Sequence, residues 1–107
     1  MMVVKENFRL AMTMFPEEAM AFSKAYCENL KASMHEDQAR LFADDEAKIK
    51  EADKRWFRSM ANLFKAAEAL DKRLISETGL SILASGPVVF ISQKYEVVNE
   101  IKAIFEA

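Results

Sequence analysis

The chain contains no glycine and no proline between Pro16 and Gly79. Gly and Pro are the residues that most often interrupt regular secondary structure, so their absence from so long a block favours long helices. The block is also rich in Ala, Leu, Met, Glu and Lys, which have high helix propensity. The sequence therefore predicts an all-α fold.

Size and composition indicate a single helical domain spanning residues 1–107. Hydrophobic residues make up 51% of the chain and charged residues 30%, values typical of globular proteins. No apolar run approaches the roughly 20 residues of a membrane span, so we expect no membrane partner. The single cysteine, Cys27, cannot form an internal disulfide, and we therefore expect a cytoplasmic location.

Two helices are predicted in the N-terminal part. Apolar residues recur at helical spacing over residues 3–15, and Pro16 suits the first turn of the next helix, where its missing N–H costs nothing. Part of the second helix shows an apolar face that we expect to be buried. The residues of this face are Ala19, Met20, Phe22, Tyr26, Cys27, Leu30 and Met34.

A turn must follow, because an unbroken helix from Pro16 to Thr78 would be about 90 Å long, which a domain of this size cannot pack. Ser33 and Glu36 have the spacing of a capping box and are the first candidate for a new helix start. Asp44-Asp45 is the second candidate, because Asp is a good N-cap residue.

The third helix has the clearest pattern. We predict one long central helix over about 45–77, starting as early as Ala39, with Gly79 as its C-terminal stop. On a helical wheel, Leu41 and Phe42 extend its apolar stripe backwards. The stripe itself consists of Ile49, Trp56, Met60, Leu63, Phe64, Ala67, Leu70 and Leu74.

The C-terminal part leaves two interpretations open. Ser85-Gly86-Pro87 is a turn, and the run 88–91 could be a strand that pairs with residues 81–84 in a short β-hairpin over 81–91. Alternatively, Pro87 opens a last helix. A helix from Gln93 to Glu106 completes a small bundle of about four helices.

The residues that could carry chemistry do not form a recognisable catalytic or metal-binding set. His35-Glu36 lacks the second histidine of a zinc-protease motif, because Ala39 occupies that position. The acids at 44–46 lack the glycine-bearing loop of an EF-hand. Cys27 is expected on the buried face of a helix, away from any group that would activate its thiol. We therefore expect a protein that is not an enzyme and has no catalytic residue, metal or cofactor.

The favoured hypothesis is a protein–protein interaction protein: an adaptor, an assembly factor or an inhibitor of a larger complex, in size and style like small helical proteins of phages and mobile elements. A charge-free apolar segment after Gly79 is costly to leave in water and is the predicted contact site. The partner-binding residues are predicted to be Leu80, Ile82, Val88, Val89 and Phe90. A homodimer could form through Trp56, Met60, Leu63, Leu70 and Leu74.

The alternative hypothesis is a nucleic-acid-binding protein that uses a basic face of the third helix. Its residues are predicted to be Lys54, Arg58, Lys65 and Lys72. Glu51 and Glu68 interrupt this face and are expected to pair with Arg55 and Lys72, respectively. Trp56 and Phe57 are expected to point elsewhere. With a net charge of −2, a protein partner is favoured over nucleic acid.

Overall fold

A computed structural model of the chain describes residues 2–107. In this range the chain forms five helices, which are α1 (Lys5–Met14), α2 (Pro16–Phe42), α3 (Glu46–Thr78), α4 (Pro87–Ser92) and α5 (Lys94–Glu106). The predicted all-α class is confirmed. The predicted hairpin over 81–91 is absent, because α4 occupies its second half, and the nearest feature to a sheet in the described chain is an isolated antiparallel bridge between Val3 and Leu83.

Helices α2 and α3 form a long antiparallel hairpin that sets the 51 Å length of the molecule. Arg73 donates a hydrogen bond to Glu18 near one end of the hairpin, and Arg40 donates one to Asp53 near the other, at 2.8 and 2.9 Å. A helix of 33 residues such as α3 is itself about 50 Å long. Because α3 covers Glu46–Thr78, the prediction of one long helix at about 45–77 is confirmed.

The apolar core lies at the end of the hairpin where α2 begins and α3 ends. Each of the five helices contributes buried side chains to it, among them Phe8, Phe22, Leu63, Phe90 and Ile101. None of the buried members of this cluster comes from residues 23–59. Residues 30–58 therefore continue beyond the core as a two-helix arm, whose own interface includes the buried side chains of Ala32, Ala39 and Ala52.

The turn between α2 and α3 lies at residues 43–45, as the second of the two candidates predicted. The carboxylate of Asp45 accepts a hydrogen bond from the N–H of Ala47 at 2.8 Å and so caps α3. The other candidate is wrong, because α2 continues through Ser33, whose hydroxyl accepts a hydrogen bond from the indole N–H of Trp56 at 3.1 Å. Gly79 ends α3 with a left-handed backbone (φ 76°).

The segment between α3 and α4 is fixed by the buried carboxylate of Asp71. It accepts hydrogen bonds from the hydroxyl of Ser81 at 2.9 Å and from the N–H of Ile82 at 2.8 Å. The carbonyl of Ile82 in turn accepts from the N–H of Val4 at 2.7 Å. These contacts hold Ile82 and Leu83 in the core, whereas Leu80, Val88 and Ile91 of the same charge-free segment are exposed.

The described helices include none that combines the length and the apolar character required to cross a bilayer.

Candidate functional site

The residues considered for catalysis or metal binding do not converge. Cys27 is exposed on α2, which corrects the expectation of a buried thiol. The ring of His35 is also exposed, and its Nδ1 lies 3.4 Å from a guanidinium nitrogen of Arg55. Within residues 2–107, no three His, Cys, Asp or Glu side chains are grouped in a way that could hold a metal ion.

The predicted contact residues after Gly79 divide into two groups. Ile82 and Phe90 are buried in the core and are therefore not available for contact with a partner. The ring of Phe90 packs against that of Phe64, with ring centroids 5.1 Å apart. Leu80 and Val88 are exposed, and Val89 is partly buried.

The residues predicted to form a homodimer are used within the chain itself. Met60, Leu63, Leu70 and Leu74 are buried under the other helices, and Trp56 is partly buried against α2. This stripe is therefore covered within the chain itself, because α2 folds back along α3 and the shorter helices cover the rest.

An exposed apolar stripe runs instead along the outer side of α2. Met20, Met34 and Leu41 are 74%, 62% and 76% exposed, and Cys27 lies between the first two at the same seven-residue spacing. Leu30 is exposed beside them. We call these five residues the outer stripe. The sequence predicts Met20, Cys27, Leu30 and Met34 on the buried face of this helix, and that prediction is wrong for these four residues.

The buried face of α2 is made by smaller and more polar residues. Asn29 and Ala32 are completely buried there, and Phe22 is the large apolar exception near the core. The amide of Asn29 donates to the hydroxyl of Ser59 at 3.0 Å, and its oxygen accepts from the ammonium of Lys102 at 2.7 Å. Because a buried amide must keep its partners, this network fixes the rotation of α2 about its axis and turns the outer stripe towards solvent.

The tip of the arm adds a second apolar feature. Phe42 is 82% exposed at the end of α2, next to Leu41. It was predicted to continue the stripe of the third helix, but the turn at 43–45 places it in α2. A groove of about 340 Å³ beside it is lined by residues of both helices, including Ala39 and Lys48. We call this feature the tip groove.

The predicted basic residues do share one side of α3. Lys54, Arg58, Lys65 and Lys72 are all exposed on the side of the helix that faces away from α2. Lys72 pairs with Glu68 at 3.1 Å, as predicted.

Two expectations about this side of α3 are wrong. Arg55 contacts His35 rather than Glu51. Phe57 does not point away, because it is 57% exposed and lies three residues from Lys54, on the same side of the helix. We call Lys50, Lys54, Phe57, Arg58, Lys65 and Lys72 the basic face.

Comparison with known proteins identified no relative. No protein-family model, no curated protein and no solved structure matches the chain. The molecule offers three surface features that could contact another molecule: the outer stripe, the tip groove and the basic face.

Proposed function

We propose that this is a non-enzymatic protein that acts by binding another protein along the outer stripe of α2, as an adaptor, an assembly factor or an inhibitor of a larger complex. The observation that carries the proposal is the regular exposure of Met20, Cys27, Met34 and Leu41 on one side of a single helix. Large apolar side chains exposed in a row are costly to leave in water, and such surface commonly marks an interaction site.

The spacing of the outer stripe favours a helical partner. Apolar residues at every seventh position supply one of the two apolar positions of the heptad by which two helices supercoil around each other. Of the positions three residues further on, Leu30 is apolar, and Ser23 and Asp37 are polar. Helix α2 has 27 residues, and a helix of that length is about 40 Å long. A partner helix crossing at about 20° could follow the stripe over three heptads from Met20 to Leu41.

The basic residues beside the first part of the outer stripe favour acidic residues on the facing part of that partner, whereas the exposed Asp37 lies between Met34 and Leu41. Lys24 and Lys31 lie along one border of the stripe and are both exposed. The only ion pair of Lys31 within the described chain is a loose one with Glu28 at 3.8 Å, which leaves its charge largely free for a partner.

A homodimer remains a competing form of the same proposal. If two copies paired their outer stripes antiparallel, with Met20 opposite Leu41, Lys31 of one copy would face Leu30 of the other and lie about one residue away from the other copy's Lys31. Like charges in that position are unfavourable, so an acidic helix of a different protein is the better fit. The exposed side chains of Leu80 and Val88 form a second, smaller contact site.

The proposal includes a cytoplasmic location. The exposed thiol of Cys27 supports it, because free surface thiols persist in reducing compartments.

The test is a quantitative pull-down from nuclease-treated lysate of the source cells, read by mass spectrometry. The Met34→Glu/Leu41→Glu variant should lose the partner by at least about tenfold, equivalent to about 1.4 kcal/mol. The matched control, Met14→Glu/Gln93→Glu, adds the same charge at exposed positions in α1 and between α4 and α5, and it should retain the partner.

Three results would count against the proposal. A partner recovered equally by the wild-type protein and the stripe variant would not bind through α2. A partner lost only from a Val88→Glu variant would move the contact site to α4. Concentration-dependent dimerisation of the purified protein that the stripe variant abolishes would identify a second copy as the occupant of the stripe.

A further inference from the structure

We propose that the basic face of α3 binds single-stranded nucleic acid, at a site separate from the outer stripe of α2. The two surfaces lie on opposite sides of the arm, because each helix uses its inward side for the α2–α3 interface. A strand of nucleic acid on α3 and a protein helix on α2 could therefore be bound at the same time.

The first argument is the arrangement of unpaired cations. Lys50, Lys54, Arg58 and Lys65 are exposed and form no ion pair within the described residues. The first three recur every four residues, which is about 6 Å along a helix. An extended strand carries its phosphates in a row with a similar separation, so successive cations can meet successive phosphates.

The second argument is the exposed ring of Phe57 among these cations. It follows Lys54 by three positions and precedes the small side chain of Ala61 by four, and 57% of it is exposed to solvent. The indole of Trp56 supports it edge-on, with ring centroids 5.1 Å apart and planes at 77°. Cations beside an exposed aromatic ring form the combination on which single-stranded bases stack while the backbone is neutralised.

The acidic residues of the protein lie mostly elsewhere, so the net charge of −2 does not describe this surface. Asp44, Asp45 and Glu46 lie at the tip of the arm, and Glu96 and Glu106 lie on α5. On α3, Glu68 pairs with Lys72 and Asp53 pairs with Arg40, and Glu51 stands at the border of the basic face.

A single strand is favoured over a duplex because only unpaired bases are free to stack on Phe57. In a duplex the bases are stacked on each other, and the basic face could contact only phosphates. Removing the ring of Phe57 should therefore weaken the binding of a single strand but not that of a duplex.

The test is the fluorescence anisotropy of a labelled 20-mer of deoxythymidine titrated with the full-length protein, starting at about 50 mM salt. Four cations predict that the logarithm of the binding constant falls with the logarithm of salt concentration with a slope near −3, about 0.7 per neutralised phosphate. Lys54→Glu/Arg58→Glu should weaken binding at least about thirtyfold and flatten this slope.

The matched control is Lys24→Glu/Lys31→Glu, which makes the same change of charge on the opposite helix. It should alter the affinity by no more than about threefold, because exposed charges beyond the Debye length, about 14 Å at 50 mM salt, are largely screened. Phe57→Ala should weaken binding about 5- to 100-fold without changing the salt slope.

Absence of binding at the lowest salt would overturn the proposal. So would a loss of affinity in the Lys24/Lys31 control equal to that of Lys54→Glu/Arg58→Glu. A duplex that binds as tightly as the single strand, with no effect of Phe57→Ala, would overturn it as well. Met34→Glu/Leu41→Glu serves as a separate readout. It should leave oligonucleotide binding within about threefold of wild type even though it abolishes the protein contact proposed for the outer stripe.

Discussion

The buried amide of Asn29 in α2 donates a hydrogen bond to the hydroxyl of Ser59 in α3 over 3.0 Å. The same amide accepts from Lys102 of α5 at 2.7 Å, and the hydroxyl of Ser59 donates to the carbonyl of Trp56 at 2.7 Å. One side chain therefore joins three helices at the place where the core ends and the arm begins. Its partners also determine which side of α2 faces solvent.

Replacing Asn29 by Ala is expected to lower the free energy of unfolding by about 2–3 kcal/mol, because Ser59 loses its donor and the ammonium of Lys102 loses a buried acceptor. Urea denaturation followed by circular dichroism would measure the loss. Gln38→Ala, at an exposed position of the same helix, should change stability by no more than about 0.5 kcal/mol. If the two variants were equally stable, the network would not hold α2 in place.

The structure also predicts a contrast between two leucines. Leu63→Ala removes a completely buried side chain and should cost about 2–5 kcal/mol of unfolding free energy. Leu41→Ala removes an exposed one and should cost no more than about 0.5 kcal/mol. Thermal and urea denaturation of the two variants would measure this. A large loss from Leu41→Ala would mean that the outer stripe is covered within the protein itself, which would contradict the proposed binding surface.

The parts of the fold that could be predicted from sequence are those where one local signal dominates. Asp45 and Gly79 mark the ends of α3 because their capping roles need only the neighbouring backbone. Ser33 misled the prediction, since its hydroxyl bonds to Trp56 of another helix rather than to its own backbone. A capping pattern does not reveal such a competing tertiary partner.

The face of α2 was assigned wrongly for a related reason. Hydrophobicity favoured the side with Met20 and Met34, but α2 packs on α3 through Ala32 and Asn29, whose small or hydrogen-bonding side chains allow close approach. A polar residue that is buried with its partner cannot be recognised without knowing that partner. The exact seven-residue repeat from Met20 to Leu41 was nevertheless visible in the sequence, and it could have indicated a face intended for a second helix.

The loop between α3 and α4 depends on Asp71. Asp71→Ala should leave the N–H of Ile82 buried without an acceptor and cost about 1–3 kcal/mol. Hydrogen exchange should show faster exchange at the amides of Ile82 and Val4, which lie in the same paired segment, than in the middle of α3.

The control for this prediction is Asp53→Ala, which removes a solvent-exposed partner of Arg40. Its loss should be no more than about 1 kcal/mol, with unchanged exchange at Ile82. Equal effects of the two variants would mean that Asp71 contributes no more than a surface charge.

The C-terminal helix is attached to α2 by a hydrogen bond that should respond to alkaline pH. The hydroxyl of Tyr26 donates to the carboxylate of Glu106 at 2.5 Å, and the ring packs edge-on against Phe105. The hydrogen bond to Glu106, together with partial burial and the negative charge of that carboxylate, raises the pKa of Tyr26 from 10 to about 12. Between these two pH values the folded protein keeps a proton that the unfolded chain releases. The contribution of this group to stability is therefore complete below pH 10 and is lost as the pH rises to 12.

Phenolate absorbance at 295 nm during a pH titration of the folded protein would measure this directly. Wild type should show a tyrosine with a midpoint near 12, and Tyr26→Phe should remove that step. Glu106→Ala should move the midpoint down towards 10, because the acceptor and its negative charge are both lost. A midpoint near 10 in the wild-type protein, or one unaffected by Glu106→Ala, would show that α5 is not held to α2 by this pair.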